Sequence, residues 1–333
     1  MDSLTQIVLG AAVGIATMGR RTAIWKAALW GGACGTLPDL DVIVDHGDPI
    51  RNMTLHRTES HALFYLTLAA PAIAGLIAAI HRDGQFRRWW LLTWLALITH
   101  PLLDLMTVYG TQLGLPFTDT PYYVGSVFVI DPLYTLPLVI GVAAALRLGH
   151  HGLRWNAAGL LLSTAYLGWG LAAQAHVRGV AESSLAHAGI TASQLLVTPT
   201  AFNSVLWRVV AISPDGWHEG FRSLLDPAGD IRFVRRPTGA ALAERHGGDW
   251  YVRRVAWFSH GFFDATDTPD GLQLRDLRMG WGDNYTFTFV LPAVRDGASA
   301  VALPQQRPLS IDPATTFSWL WRRLLGDPAA APS

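Results

Sequence analysis

Between residues 3 and 177 the chain runs for long intervals without a single Asp, Glu, Lys or Arg: 3–19, 60–81, 89–103, 132–146 and 155–177 are all free of them. Such runs approach the ~20 apolar residues a helix needs to cross a bilayer. Of the 333 residues, 50% are hydrophobic and only 15% charged, against roughly a quarter charged in soluble domains. The pattern predicts a mainly α, polytopic bundle of about six membrane helices near 3–19, 22–38, 61–81, 88–106, 127–147 and 155–177. The second is short and rich in glycine, which also suits a re-entrant piece.

Lys plus Arg and Asp plus Glu number 25 each, so no net field draws the chain to nucleic acid. The single cysteine, Cys34, excludes an internal disulfide and a cysteine-rich zinc site. Cations mark the loops that should face the cytoplasm: Arg20, Arg21 and Lys26, then Arg82, Arg87 and Arg88, then Arg147 and Arg154. The run ahead of Arg20 lacks the cationic start of a secretory signal, because Asp2 stands there, so the first helix is expected to be retained. Six crossings would put everything after 178 on the outer, periplasmic side. Past 190 the chain changes to short aromatic and β-branched stretches (205–210, 231–234, 250–257, 285–290) separated by Pro, Gly and Asp, which reads as a mostly β, water-exposed domain. The expected division is 1–180 and 190–325, with a frayed tail from Asp327.

Ionisable groups inside apolar segments are costly enough to be functional by default. Four clusters occur: Asp39 and Asp41; His56, Arg57, Glu59 and His61; His100 and Asp104; and Asp131 before Pro132. On the topology above all fall toward one face. His100 and Asp104, four apart, project about 40° from each other on a helix, a spacing that lets two side chains grip one ion. Pro101 disfavours helical geometry at His100. His56 and His61 would diverge by ~140° on one helix, so they share a site only if Thr58 caps the helix and leaves His56 in the loop. Asp39 and Asp41 offer oxygen ligands or support for a ligating histidine, and Asp131 reads equally well as a helix cap. Three histidines and several carboxylates without cysteine suit zinc, manganese or iron and a metal-activated water. Serine-elbow, phosphate-loop and dinucleotide motifs are missing.

The ordered set Asp2 to Gln6, Pro38 to Asp41, His56 to His61, Thr99 to Asp104, Tyr109 to Gln112 and Ile130 to Thr135 resembles the YdjM-type family of bacterial inner-membrane proteins, described as metal-dependent hydrolases. The family's His-Arg-Gly-x-Thr-His-Ser element also looks like that of zinc-dependent phospholipase C and related nucleases. The resemblance covers about residues 1–150 and implies a divalent metal, zinc first, held by Asp39 or Asp41, His56, His61, His100 and Asp104. Family members often carry histidine where Gln6 and Val42 stand. The expected function is a membrane-embedded hydrolase acting on an ester or phosphoester, lipid-derived or otherwise. In it Asp131 or Glu59 would handle the proton and Arg57 would meet a phosphate oxygen. The alternative is a non-catalytic metal-ion carrier or envelope scaffold. The bilayer is the expected partner.

Overall fold

The computed structural model describes residues 1–237, 239–292 and 303–328. It is helical to residue 187 and rich in sheet beyond it. Among the described residues, contacts divide the chain into two units. One comprises Met1–Ile43, Arg57–Ala172 and Ala201–Asn203; the other comprises Val44–His56, Ala173–Thr200 and Ser204–Ser333.

In the first unit, α1 (Ser3–Met18) is central, since most of its faces are buried. Asp2 starts it by accepting a hydrogen bond from the Thr5 N–H. Helix α2 (Ile24–Thr36) returns beside α1 through a contact of bare backbones. A methyl carbon added at Gly10 would stand 2.3 Å from Gly31 O, and one at Gly14 2.4 Å from Ala27 O. Small residues spaced four apart let two helices approach this closely. A 3-10 turn, Leu37–Ile43, follows α2 and carries Asp39 and Asp41. Then come α4 (Leu63–His81), α5 (Phe86–Leu105), α6 (Pro132–Leu148) and α7 (Leu153–His187), while α3 (Pro49–Leu55) belongs to the second unit. Asn156 on α7 donates to Ala12 O at 2.9 Å and Ser163 to Tyr134 O at 2.7 Å, which satisfies polar groups buried between apolar helices. Two stretches are long and apolar enough to cross a membrane: Leu63–His81, and Pro132–His187 containing α6 and α7. Helix α1 is apolar but shorter.

The second unit carries β1 (Gln194–Pro199), β2 (Leu206–Ser213), β3 (Gly216–Ser223) and β4 (Val234–Arg236) as one antiparallel sheet in that order. Val177 and Ala181 of α7 pack on it against Val197, Trp207 and Val209. After α8 (Ala240–Arg245) and α9 (Trp250–Phe258), β5 (Phe263–Thr268), β6 (Gly271–Asp276), β9 (Thr288–Pro292) and β10 (Gln305–Gln306) form a second sheet, ordered β10-β9-β6-β5. A small pair, β7 (Gly280–Trp281) with β8 (Asn284–Tyr285), precedes β9, and α10 (Pro313–Leu324) ends the unit. Arg208 is buried here, its Nε 2.6 Å from Glu219 Oε1 and its remaining nitrogens on Leu277 O and Tyr285 Oη.

Two expectations change. The stretch 250–257 is α9, not a strand: Asp249 accepts from the Tyr251 and Val252 N–H groups, and the buried Val252, Val255 and Phe258 recur every three residues, a helical spacing. Residues 231–233 precede the strand that begins at Val234, and Ile231 instead packs into the core beneath the first sheet. Of the tail expected to fray, residues 329–333 lie outside the described residues.

Two outcomes test these packings by thermal unfolding of the detergent-solubilised protein. Gly10→Val, overpacking the α1–α2 contact, should cost about 3 kcal/mol. Glu219→Ala, which strands Arg208 in the interior, should cost roughly 3–5 kcal/mol of the second unit's stability; an unchanged transition would show the pair to be dispensable.

Candidate metal centre

Four side chains meet in the first unit: Asp39 from the 3-10 turn after α2, His61 from a second short turn (Glu59–His61) before α4, and His100 and Asp104 from α5. One ligand atom from each lies within 4.8 Å of all the others. Helix α5 runs unbroken through Pro101, although the ring removes a backbone donor and crowds the carbonyl four residues back. His100 and Asp104 therefore keep one face.

The partners of each imidazole decide what its inner nitrogen can do. His100 Nδ1 is 2.6 Å from Gly35 O; a carbonyl only accepts, so this nitrogen carries the proton and Nε2 holds a lone pair. His61 Nδ1 is 2.9 Å from Ser60 Oγ, which itself donates to Asp41 Oδ2 at 2.6 Å. With its hydrogen committed to Asp41, the Ser60 oxygen accepts from His61 Nδ1. Both Nε2 atoms then face each other as acceptors, 3.1 Å apart. Asp39 Oδ1 lies 3.4 Å from each of them, and Asp104 Oδ2 lies 3.3 Å from His61 Nε2 and 3.5 Å from His100 Nε2. Asp104 Oδ2 is buried and accepts no hydrogen bond. Two nitrogen and two carboxylate lone pairs thus converge on one point, an arrangement that repels itself unless a positive charge sits among them. The donor set fits a divalent cation.

Around the cluster, Gln6 Nε2 donates to Asp104 Oδ1 at 3.1 Å and to His100 O at 3.3 Å, and the Met1 α-amino group also lies against Asp104 Oδ1. Arg57 is 5% exposed, with its Nε 3.2 Å from Asp104 Oδ2 and its guanidinium over the Tyr109 ring, 4.8 Å from the centroid. Its backbone has φ +65°, which is uncommon for a residue with a side chain. The turn is pinned on both sides: Arg57 N–H donates to Asp41 Oδ2 at 2.9 Å, and Gln112 N–H donates to Arg57 O at 3.0 Å.

The remaining residues singled out by sequence are not among these four. Asp41 stands behind His61 through Ser60, 3.6 Å from Nδ1. His56 ends α3 and belongs to the second unit, and Glu59 is exposed. Asp131 caps α6, accepting from Leu133 N–H at 3.0 Å, and takes the Tyr166 hydroxyl at 2.8 Å. Neither Glu59 nor Asp131 is in the four-residue cluster. Thr58 does not cap the following helix; α4 begins at Leu63, whose N–H bonds Leu113 O, so His61 precedes the helix. Sequence reasoning gave Ser60, Gly35 and Tyr109 no role of their own, although Ser60 and Tyr109 stand inside the motifs 56–61 and 109–112; Ser60 left the plainer signal, a hydroxyl immediately before a candidate ligand histidine.

Residues 1–177 match the family described as YdjM inner membrane protein. A 173-residue stretch is 25% identical to the uncharacterized protein YfhP of Bacillus subtilis (strain 168), covering 50% of this chain and 53% of that protein. The chain thus spans about half the length of that relative. No solved structure matches.

Metal analysis of purified protein tests the donor set. His61→Ala and His100→Ala should each lose most of the divalent metal that wild type retains, with the fold intact. Equal metal in all three would remove the imidazoles from the site.

Proposed function

The chain belongs to the YdjM inner membrane protein family, and on that premise we propose that it is a membrane-embedded, zinc-dependent hydrolase of an ester or phosphoester. The observation that carries this reading is the pair of opposed Nε2 acceptors 3.1 Å apart, flanked by two carboxylate oxygens. With Zn–N near 2.0–2.1 Å, the edges of a tetrahedral site come to about 3.3 Å. The five separations of 3.1–3.5 Å among these atoms lie close to that.

A bound divalent cation supplies Lewis acidity, which lowers the pKa of a water toward neutrality and polarises a substrate oxygen. The protein's own groups do the rest. His61, His100 and Asp104 are buried, and each is oriented by a neighbour: Ser60, Gly35 and Gln6 respectively. Asp39 differs, since its side chain is 15% exposed and it sits where solvent can reach. In the reading favoured here it accepts the proton of the attacking water while the water oxygen bonds to the acyl carbon or phosphorus. It then returns that proton to the leaving oxygen as the ester bond breaks. This gives Asp39 the role that the sequence alone offered to Asp131 or Glu59.

A second reading rests on the count of ligands. Four protein donors close a tetrahedron, as structural zinc sites do, whereas catalytic ones keep a position open; on this reading the protein is a carrier or scaffold. In either case a multi-pass arrangement is supported by the two long apolar stretches and by the cationic loops at Arg20–Arg21, Arg82–Arg88 and Arg147–Arg154. The same loops favour the cytoplasm, and on this proposal the metal site and the sheet-rich unit would face the periplasm.

Asp39→Asn separates the readings. In a turnover screen of lipid esters and phosphoesters, the hydrolase should lose roughly 100-fold or more of its rate while keeping its metal. Loss of the metal from this variant, with no turnover by wild type, would mark a closed structural site.

A further inference from the structure

Arg57 is the one buried guanidinium of the first unit placed against the metal cluster, and it is poorly matched there. Its Nε and Nη1 make no hydrogen bond, although both are buried and Nε lies 3.2 Å from Asp104 Oδ2. Leaving charged donors unmatched away from water is costly. The chain accepts that cost together with a left-handed backbone at the same residue, a combination typical of functional positions. The Tyr109 ring fixes the guanidinium plane by a cation–π contact. A planar fork held in this way suits two oxygens of one anionic group, the geometry by which arginine binds phosphoryl groups.

The adjoining surface has a different chemistry. The turn that carries Asp39 and Asp41 also carries Leu40, Val42 and Ile43, with Val42 70% and Ile43 80% exposed. Next to His61, Phe64 at the start of α4 stacks edge-on against Phe117, which is 80% exposed. Apolar side chains thus lie one to four residues from the groups that would hold the cation.

We infer that Arg57 receives a non-bridging phosphoryl oxygen of the substrate and that the substrate is a lipid phosphoester whose tail lies along the Leu40–Ile43 lip. This rests on the hydrolase reading, with Arg57 as the group that selects phosphoester over neutral ester. The cation neutralises the two carboxylates nearest it, Asp39 and Asp104, and leaves the guanidinium charge for the substrate. Attack by water at phosphorus breaks the bond to the leaving oxygen, which takes up the water's proton by way of Asp39.

The test is binding, so it does not depend on turnover. Zinc-loaded protein in detergent is titrated with hexadecylphosphonate, methylphosphonate and palmitate by calorimetry, for wild type, Arg57→Gln and Arg57→Lys, with metal content measured on each. Wild type should bind hexadecylphosphonate most tightly. Arg57→Gln should weaken it by roughly 10- to 100-fold with metal retained, and Arg57→Lys should fall between. Unchanged affinity in Arg57→Gln, or palmitate bound as well as the phosphonate, would overturn the phosphoryl assignment. Methylphosphonate bound as tightly as the long-chain ligand would overturn the lipid assignment. Loss of metal from both variants would make Arg57 a support for Asp104 and overturn it as well. A wild type that binds through Arg57 yet hydrolyses no lipid phosphoester would sink the hydrolase reading and leave Arg57 as the receptor of a lipid phosphoryl group without turnover.

Discussion

Opposition of two imidazole lone pairs is the constraint around which the helical unit is organised. His61 and His100 each spend their only N–H outward, one on Ser60 and the other on Gly35 O, and so present bare Nε2 atoms to each other. Every nearby acid adds to the same negative focus. Arg57 and the Met1 α-amino group offset part of this focus at Asp104, and a divalent cation would offset the rest in an interior where screening by water is weak. The outward bonds do more than orient rings, since they choose the tautomer and with it the only nitrogens able to ligate.

Much of this was legible because it is local. The four-residue spacing of His100 and Asp104 needs only a continuous helix, and α5 supplies one. The pairing of that helix with His61 followed from motif order rather than physics, since nothing within residues 56–61 states which helix they will meet. Between Asp39 and Asp41 the sequence offers no choice. The structure separates them by the turn of Leu37–Ile43, which sends Asp39 to the imidazoles and Asp41 to Ser60 and the Arg57 amide. His56 was grouped with His61 by proximity in the chain, but it is not among the four residues of the cluster.

The sheet-rich unit was legible by class more than by element. Aromatic and β-branched content identified β2, whereas the same content in 250–257 masked a three-residue rhythm that only the burial of Val252, Val255 and Phe258 makes plain. Aromatic and β-branched residues favour strands only as a weak prior, and Asp249 at the N-terminal cap is enough to tip this segment to helix.

The glycine seam between α1 and α2 ends at the metal cluster. Gly35, where an added methyl carbon would stand 2.8 Å from Gln6 O and 3.0 Å from Gly10 Cα, is also the residue whose carbonyl fixes the ring of His100. Gln6, directly across the seam, reaches Asp104. One joint therefore sets both how tightly two helices mesh and how an imidazole is aimed. Loosening it would shift the His100 ring and the Asp104 partner along with the helix contact, so the mesh of the seam and the shape of the cluster cannot vary independently.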